Sequence, residues 1–172
     1  MVSPPRASPR AVAKPLSPPA WQTWRIADGR FEPLSGIGPT LVGGRWNSPG
    51  LGVIYASRTY AGAMLEILAH AGIGRVPKTH VAIEIAIAGD AAVERHEESG
   101  LPVGWDKSDL RVARSFGDAW IREARSAVLM VPSVVARKEY SVLLNPQLPD
   151  FLKIAAARPE AVIWDARLFA RH

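Results

Sequence analysis

Residues 43–71 read GGRWNSPGLGVIYASRTYAGAMLEILAHA, and the hydrophobic period changes once within them. Over residues 52–57, Val53 and Tyr55 fall on one face of a short strand, with Ile54 and Ala56 opposite. From 58 to 71 the spacing becomes helical. Ala61, Met64, Leu65 and Leu68 are predicted to share the buried face, and Glu66 lies about 100° round from Leu65, at the margin of that stripe. Ahead of the strand, Gly43, Gly44, Pro49 and Gly50 enclose Arg45, Trp46, Asn47 and Ser48 in a turn-rich loop.

Outward from this unit, residues 21–27 predict a first strand, and 29–44 hold too much Gly and Pro for regular structure. In 80–87, Val81, Ile83, Ile85 and Ile87 alternate with Ala82, Glu84 and Ala86, which predicts a strand. After a loop through Gly100, Pro102 and Gly104, Ser108 is placed to cap a helix. Leu110, Ala113, Phe116, Trp120, Ile121 and Ala124 form its core stripe. Short strands are predicted at 127–131, 140–144 and 161–164. Without a regular βαβ rhythm, this order predicts a single α+β domain over residues 21–172.

The chain has 172 residues, 48% hydrophobic and 22% charged, which suits one globular domain and excludes a fully disordered or collagenous chain. The absence of cysteine removes thiol catalysis, thiolate zinc sites and disulfides. The formal charge of +5 divides unevenly. Residues 1–20 contain Arg6, Arg10 and Lys14 with no acid and carry +3, so the body is left with +2. Its cations are scattered among acids, so direct DNA binding is not expected. The same twenty residues contain six of the fifteen prolines and predict a disordered leader, faintly like a transit peptide. No apolar run approaches a membrane span. The expectation is a soluble, cytoplasmic protein.

His70, His80, His96 and His172 lack the spacing of metal ligands, so no metal is expected. No serine sits in a Gly-x-Ser-x-Gly elbow, and no glycine loop ends in Gly-Lys-Ser. What remains is the Arg45 loop. It can offer a guanidinium fork to a phosphate or carboxylate, with the Trp46 indole as a stacking face. The plainer reading is a hairpin loop with a packed tryptophan. Tyr55 follows Arg45 by 10 residues and Glu66 follows Tyr55 by 11, so a strand and the next helix can bring all three to one cleft. Taken singly, Glu66 reads as a solvated helix residue, Tyr55 as a half-buried strand aromatic, Ser133 as a turn serine and Asn145-Pro146 as a stiff turn.

Taken together, Gly44-Arg45-Trp46-Asn47-Ser48-Pro49-Gly50, Val53-Ile54-Tyr55-Ala56-Ser57, Leu65-Glu66, Val131-Pro132-Ser133 and Leu143-Leu144-Asn145-Pro146-Gln147 resemble the RES domain, named for its arginine, glutamate and serine. The resemblance spans residues 21–150. It implies a fold similar to the ADP-ribosyltransferase domain of diphtheria-like toxins. It also implies the toxin of a bacterial toxin-antitoxin pair, consuming NAD as substrate by hydrolysis, phosphorolysis or ADP-ribosyl transfer to a protein acceptor. The implied partner is an Xre-type helix-turn-helix antitoxin that covers the NAD pocket, within a hetero-oligomer.

Carried over by position, the resemblance assigns the named residues to Arg45, Glu66 and Ser133. It adds Tyr55, Arg25 and Asn145 to the pocket. Three positions depart from the family pattern: Trp46 replaces a common tyrosine, Ser141 an asparagine and Leu148 a histidine. NAD cleavage passes through an oxocarbenium-like sugar, which makes Glu66 the expected stabilising carboxylate. Arg25 and Arg45 are expected on the diphosphate or its neighbouring ribose. Trp46 or Tyr55 is expected to stack on nicotinamide, and Ser133 to bond the nicotinamide ribose. The reading from another class is a non-catalytic nucleotide- or DNA-binding module.

Overall fold

The computed structural model describes residues 20–71 and 78–169. The expected leader lies outside the described residues except for Ala20, which already belongs to the first strand. Among the described residues eight strands occur in chain order: β1 (Ala20–Asp28), β2 (Ile54–Ser57), β3 (His80–Ala88), β4 (Val93–Arg95), β5 (Val128–Pro132), β6 (Tyr140–Leu144), β7 (Ile154–Ala156) and β8 (Glu160–Ala161). Helices α1 (Ile37–Val42), α2 (Tyr60–Ala71) and α3 (Arg111–Arg122) lie between them. One sheet runs β4-β5-β6-β2-β1-β3-β7, with β8 also on β3. Its pairs are antiparallel except β4 with β5. The α+β expectation holds.

Alternation along the strands gives the sheet two apolar faces. On one, Ile54, Ile83, Ile85, Ile87, Val128, Val142 and Leu144 pack together, covered by Leu34, Leu148 and Phe151 from connecting segments. The other face carries both long helices. Over β5 and β6, Ala113, Trp120 and Ile121 of α3 meet Leu129, Val131 and Leu143, while over β1 and β3, Ala63, Met64 and Ile67 of α2 meet Ile26 and Ala82. Full burial of a side chain the size of Leu129 or Ile85 stabilises by roughly 1.5–3 kcal/mol, so these two layers hold the sheet rigid behind the cavity described below.

Several expectations need correction. The buried face of α2 is Ala63, Met64 and Ile67; Leu65 is 40% exposed and Ala61 faces solvent. Small residues let this helix approach β1, and they carry little apolar signal. The segment expected to be irregular contains α1, which buries none of its residues. Ser108 does not cap α3, because the chain enters the helix through Leu110 in the left-handed region, at φ 58. The expected strand at 161–164 is only Glu160–Ala161, and the short strands β4 and β7 were not anticipated. Among the described residues, no helix is long and apolar enough to cross a membrane.

Candidate active site

β1 and β2 pair only at Trp24 and Ser57, although β1 continues along β3 for nine residue pairs. Beyond that single pair the strands part. A cavity of about 650 Å³ opens beside them, within the roughly 300–1,000 Å³ usual for small-molecule sites. Its walls include Arg25, Gly44, Arg45, Tyr55, Ser57, Glu66, His70, Arg114 and Ser141.

Arg25 closes the gap between the strands. Its Nη1 donates to the Tyr55 carbonyl at 3.1 Å and its Nη2 to the Ser35 carbonyl at 2.9 Å, while the buried Nε has no partner among the described residues. The Tyr55 carbonyl thereby gains the partner that a continued ladder would have supplied. Burial pulls the guanidinium down to about 10, since charge is disfavoured away from water. No carboxylate lies within ion-pairing distance of Arg25 among the described residues.

The Arg45 loop is tied at nearly every polar atom. Asn47 Nδ2 donates to the Pro39 and Leu51 carbonyls at 2.8 and 2.9 Å, and the Ser48 N–H donates to Asp118 Oδ1 at 2.8 Å. The Tyr55 hydroxyl donates to Asn47 Oδ1 at 2.8 Å and accepts the Trp46 N–H at 2.9 Å. Burial pushes its pKa well above the ordinary phenol value, so the hydroxyl keeps its proton and both bonds. A Cβ at Gly44 would stand 2.5 Å from that hydroxyl, which explains a glycine beside Arg45. Arg45 Nη1 donates to the Lys107 carbonyl at 3.1 Å and, more weakly, to that of Trp105 at 3.3 Å. Partial burial lowers its pKa, and Glu66 and Asp106 oppose that shift.

Glu66 stands on α2 at the cavity wall. The Ser133 hydroxyl donates to its Oε1 at 2.8 Å, while the N–H groups of Val135 and Ala136 point at Ser133 Oγ from 3.2 and 3.1 Å. Ser133 is therefore 4% exposed behind the carboxylate, outside the cavity lining. One turn on, His70 Nδ1 meets the Glu66 carbonyl at 2.8 Å. A carbonyl only accepts, so Nδ1 carries the hydrogen of this bond and Nε2 is the ring nitrogen left free of it.

The structure thus gathers Arg25, Arg45, Tyr55 and Glu66 around one cavity, with Ser133 directly behind Glu66. Trp46 also borders the cavity but does not present its indole there, and Asn145 lies outside the lining. The Trp46 indole is 1% exposed, stacked on Trp105 at 5.9 Å and edge-on to Phe116, so the packed-tryptophan reading describes it and no stacking face is offered. Asn145 lies beyond the opposite end of β6 from Ser133, with its N–H on the Ala127 carbonyl and its Oδ1 capping Gln147. Of the family departures, Ser141 lines the cavity and Leu148 packs in the core of the far face.

Three polar wall residues, Ser57, His70 and Arg114, were missed as site candidates. His70 follows Glu66 by four positions, a helical spacing that gave a usable signal. Arg114 had none, because only the tertiary fold carries α3 to the Arg45 loop, where Arg114 Nε donates to the Gly44 carbonyl at 2.8 Å. Among the described residues, no group of three His, Cys, Asp or Glu side chains gathers to hold a metal.

Residues 22–165 match the family model of the RES domain. A Sphingobium protein named "Prs ADP-ribosylating toxin" is 37% identical over 155 residues, covering 86% of this chain and 96% of that protein. A Pseudomonas putida protein named "Toxin Res" is 31% identical over 148 residues, with coverage of 85% and 98%. A chain of the M. tuberculosis MbcT-MbcA toxin-antitoxin complex superposes with a TM-score of 0.62 at 18% identity, over 81% of this chain and 82% of that one. That likeness bears on the fold. Because the family match runs through nearly all the described residues and both relatives align over most of their own length, the chain belongs to the RES domain family.

Proposed function

We propose that this protein is the toxin of a toxin-antitoxin pair and that it consumes NAD in the cytoplasm by breaking the bond between nicotinamide and ribose. The observation that carries this reading is the Glu66 carboxylate, held by Ser133 at the wall of a cavity also lined by the guanidinium groups of Arg25 and Arg45, which have no carboxylate partner among the described residues. NAD carries a cationic pyridinium and an anionic diphosphate. One carboxylate facing the first, and guanidinium groups facing the second, match that division of charge.

In the proposed reaction the electron pair of the C–N bond leaves with nicotinamide, neutralising its ring and placing positive charge on the ribose. Glu66 stabilises that charge as it develops, which acts on the transition state more than on the bound substrate. Water then attacks the sugar and loses a proton, giving ADP-ribose; phosphate in its place gives the phosphorylated product. The Arg25 and Arg45 groups hold the diphosphate so that the ribose is presented to Glu66. Tyr55 keeps the Arg45 loop in place, and its ring is the remaining candidate for contact with nicotinamide.

The second reading is transfer of ADP-ribose to a protein side chain, favoured by the name of the Sphingobium relative. It uses the same cleavage with a different nucleophile. An Xre-type helix-turn-helix antitoxin seated over the cavity is the proposed partner, and the toxin-antitoxin complex among the structural neighbours supports a partner of that role. The deciding experiment incubates the chain with adenine-labelled NAD, with and without phosphate and bacterial lysate. Release of nicotinamide with labelled ADP-ribose or its phosphate supports hydrolysis or phosphorolysis, and label on protein supports transfer. Intact NAD under all conditions contradicts both readings and leaves a binding module.

A further inference from the structure

We infer that Arg114 is a third anion-binding residue of the cavity, holding the diphosphate of a dinucleotide jointly with Arg45; this rests on the reading of the cavity as a dinucleotide site. On α3, Asp118 lies four residues after Arg114, the spacing at which an arginine and an aspartate ordinarily pair. Arg114 does not take that partner. Asp118 Oδ1 accepts the Ser48 N–H at 2.8 Å, and Oδ2 faces Arg122 at 3.8 Å. Arg114 instead sends Nε to the Gly44 carbonyl, and among the described residues neither of its terminal nitrogens meets a protein acceptor.

Its neighbours behave differently. Arg111 stands 3.5 Å from Asp109, Arg125 stands 3.0 Å from Glu94, and Arg137 stands 2.8 Å from Asp106. The arginines facing solvent near α3 have carboxylate partners, whereas Arg25, Arg45 and Arg114 on the cavity wall have none among the described residues. Glu66 is the carboxylate among the cavity's lining residues, so these three guanidinium groups leave an excess of two positive charges there. A diphosphate diester supplies two negative charges.

The Gly44 carbonyl also fixes how Arg114 is presented. A planar guanidinium anchored through Nε has its Nη1 and Nη2 hydrogens set as a fork, a geometry suited to two phosphate oxygens. Gly44 immediately precedes Arg45, so the tether joins the two arginines through one peptide. Lysine at this position would keep the charge without the fork.

The test is calorimetric titration of the full chain with ADP, repeated at several salt concentrations, for wild type, Arg114→Gln and Arg114→Lys. Arg114→Gln is expected to weaken ADP binding about 10- to 100-fold and to flatten its salt dependence. Arg114→Lys should fall between and retain most of the salt dependence; it also serves if the glutamine variant does not fold. Unchanged affinity, or weaker affinity with an unchanged salt slope, overturns the inference. If Arg114 governs ADP binding while NAD is never cleaved, the inference stands and the proposed reaction fails. If wild type does not bind ADP, both are overturned.

Discussion

The Ser133 hydroxyl donates to Glu66 Oε1 at 2.8 Å, linking the end of β5 to α2 across 67 residues of chain. Since Val135 and Ala136 direct their N–H groups at the same oxygen, the hydroxyl hydrogen is left for the carboxylate. The resemblance suggested a serine facing the ribose; the hydrogen bonds describe one that positions a carboxylate. Ser133→Ala is expected to reduce NAD turnover about 10- to 1,000-fold by loosening Glu66. It should also destabilise the protein by about 0.5–1.5 kcal/mol, because two part-buried N–H groups lose their acceptor. Steady-state kinetics and thermal unfolding check the two effects separately. Undiminished turnover would show that Glu66 needs no such support.

Tyr55 acts on the opposite wall through its hydroxyl. Tyr55→Phe keeps the ring and removes bonds to the Trp46 N–H and Asn47 Oδ1, leaving buried groups unsatisfied at about 1–3 kcal/mol. The Arg45 loop should become mobile, visible as faster amide exchange at Trp46, and KM for NAD should rise. If exchange at Trp46 is unchanged, the loop is held by Asn47 and Asp118 alone.

Gly117 marks where α3 lies directly on that loop. A Cβ there would stand 1.9 Å from the Trp46 carbonyl oxygen, backbone against backbone, so no side-chain adjustment relieves it. Gly117→Ala is expected to destabilise by about 1–3 kcal/mol or more, despite alanine's better helix propensity. Denaturant unfolding measures this, and a stabilised variant would contradict the contact.

Acid stability has a definite direction at Asp106. The hydrogen bond from Arg137, followed by a backbone bond within the residue, holds its carboxyl below the ordinary 3.8. A depressed folded pKa contributes stability that is present above the unfolded value and lost as pH falls through the folded one. The unfolding temperature should therefore drop below pH 3.8. Asp106→Asn should be less stable than wild type near neutrality and show a shallower acid slope. Parallel slopes would mean that other carboxylates dominate.

These residues also mark what the sequence made legible. The alternation in β3 and the apolar stripe of α3 identified both elements, because each buries a continuous row of large side chains. The buried face of α2 was hidden, since Gly62 and Ala63 gain their place through smallness, and β4 and β7 are three residues long. Glu66, Tyr55, Arg25 and Arg45 reach one cavity because β1 and β2 separate after one pair, a feature no local pattern encodes. Asn145 could have been set apart in advance. It and Ser133 flank an antiparallel hairpin of five-residue strands, and five residues of strand span roughly 17 Å.

Glu66→Gln tests the central claim most directly. Glutamine preserves size and an oxygen for the Ser133 hydroxyl, so the fold and unfolding temperature should be retained while the negative charge is lost. Nicotinamide release from NAD, compared between wild type and this variant at equal folded concentration, should be rapid in the first and nearly absent in the second. Equal release would contradict the assignment of Glu66 as the group that stabilises the ribosyl cation.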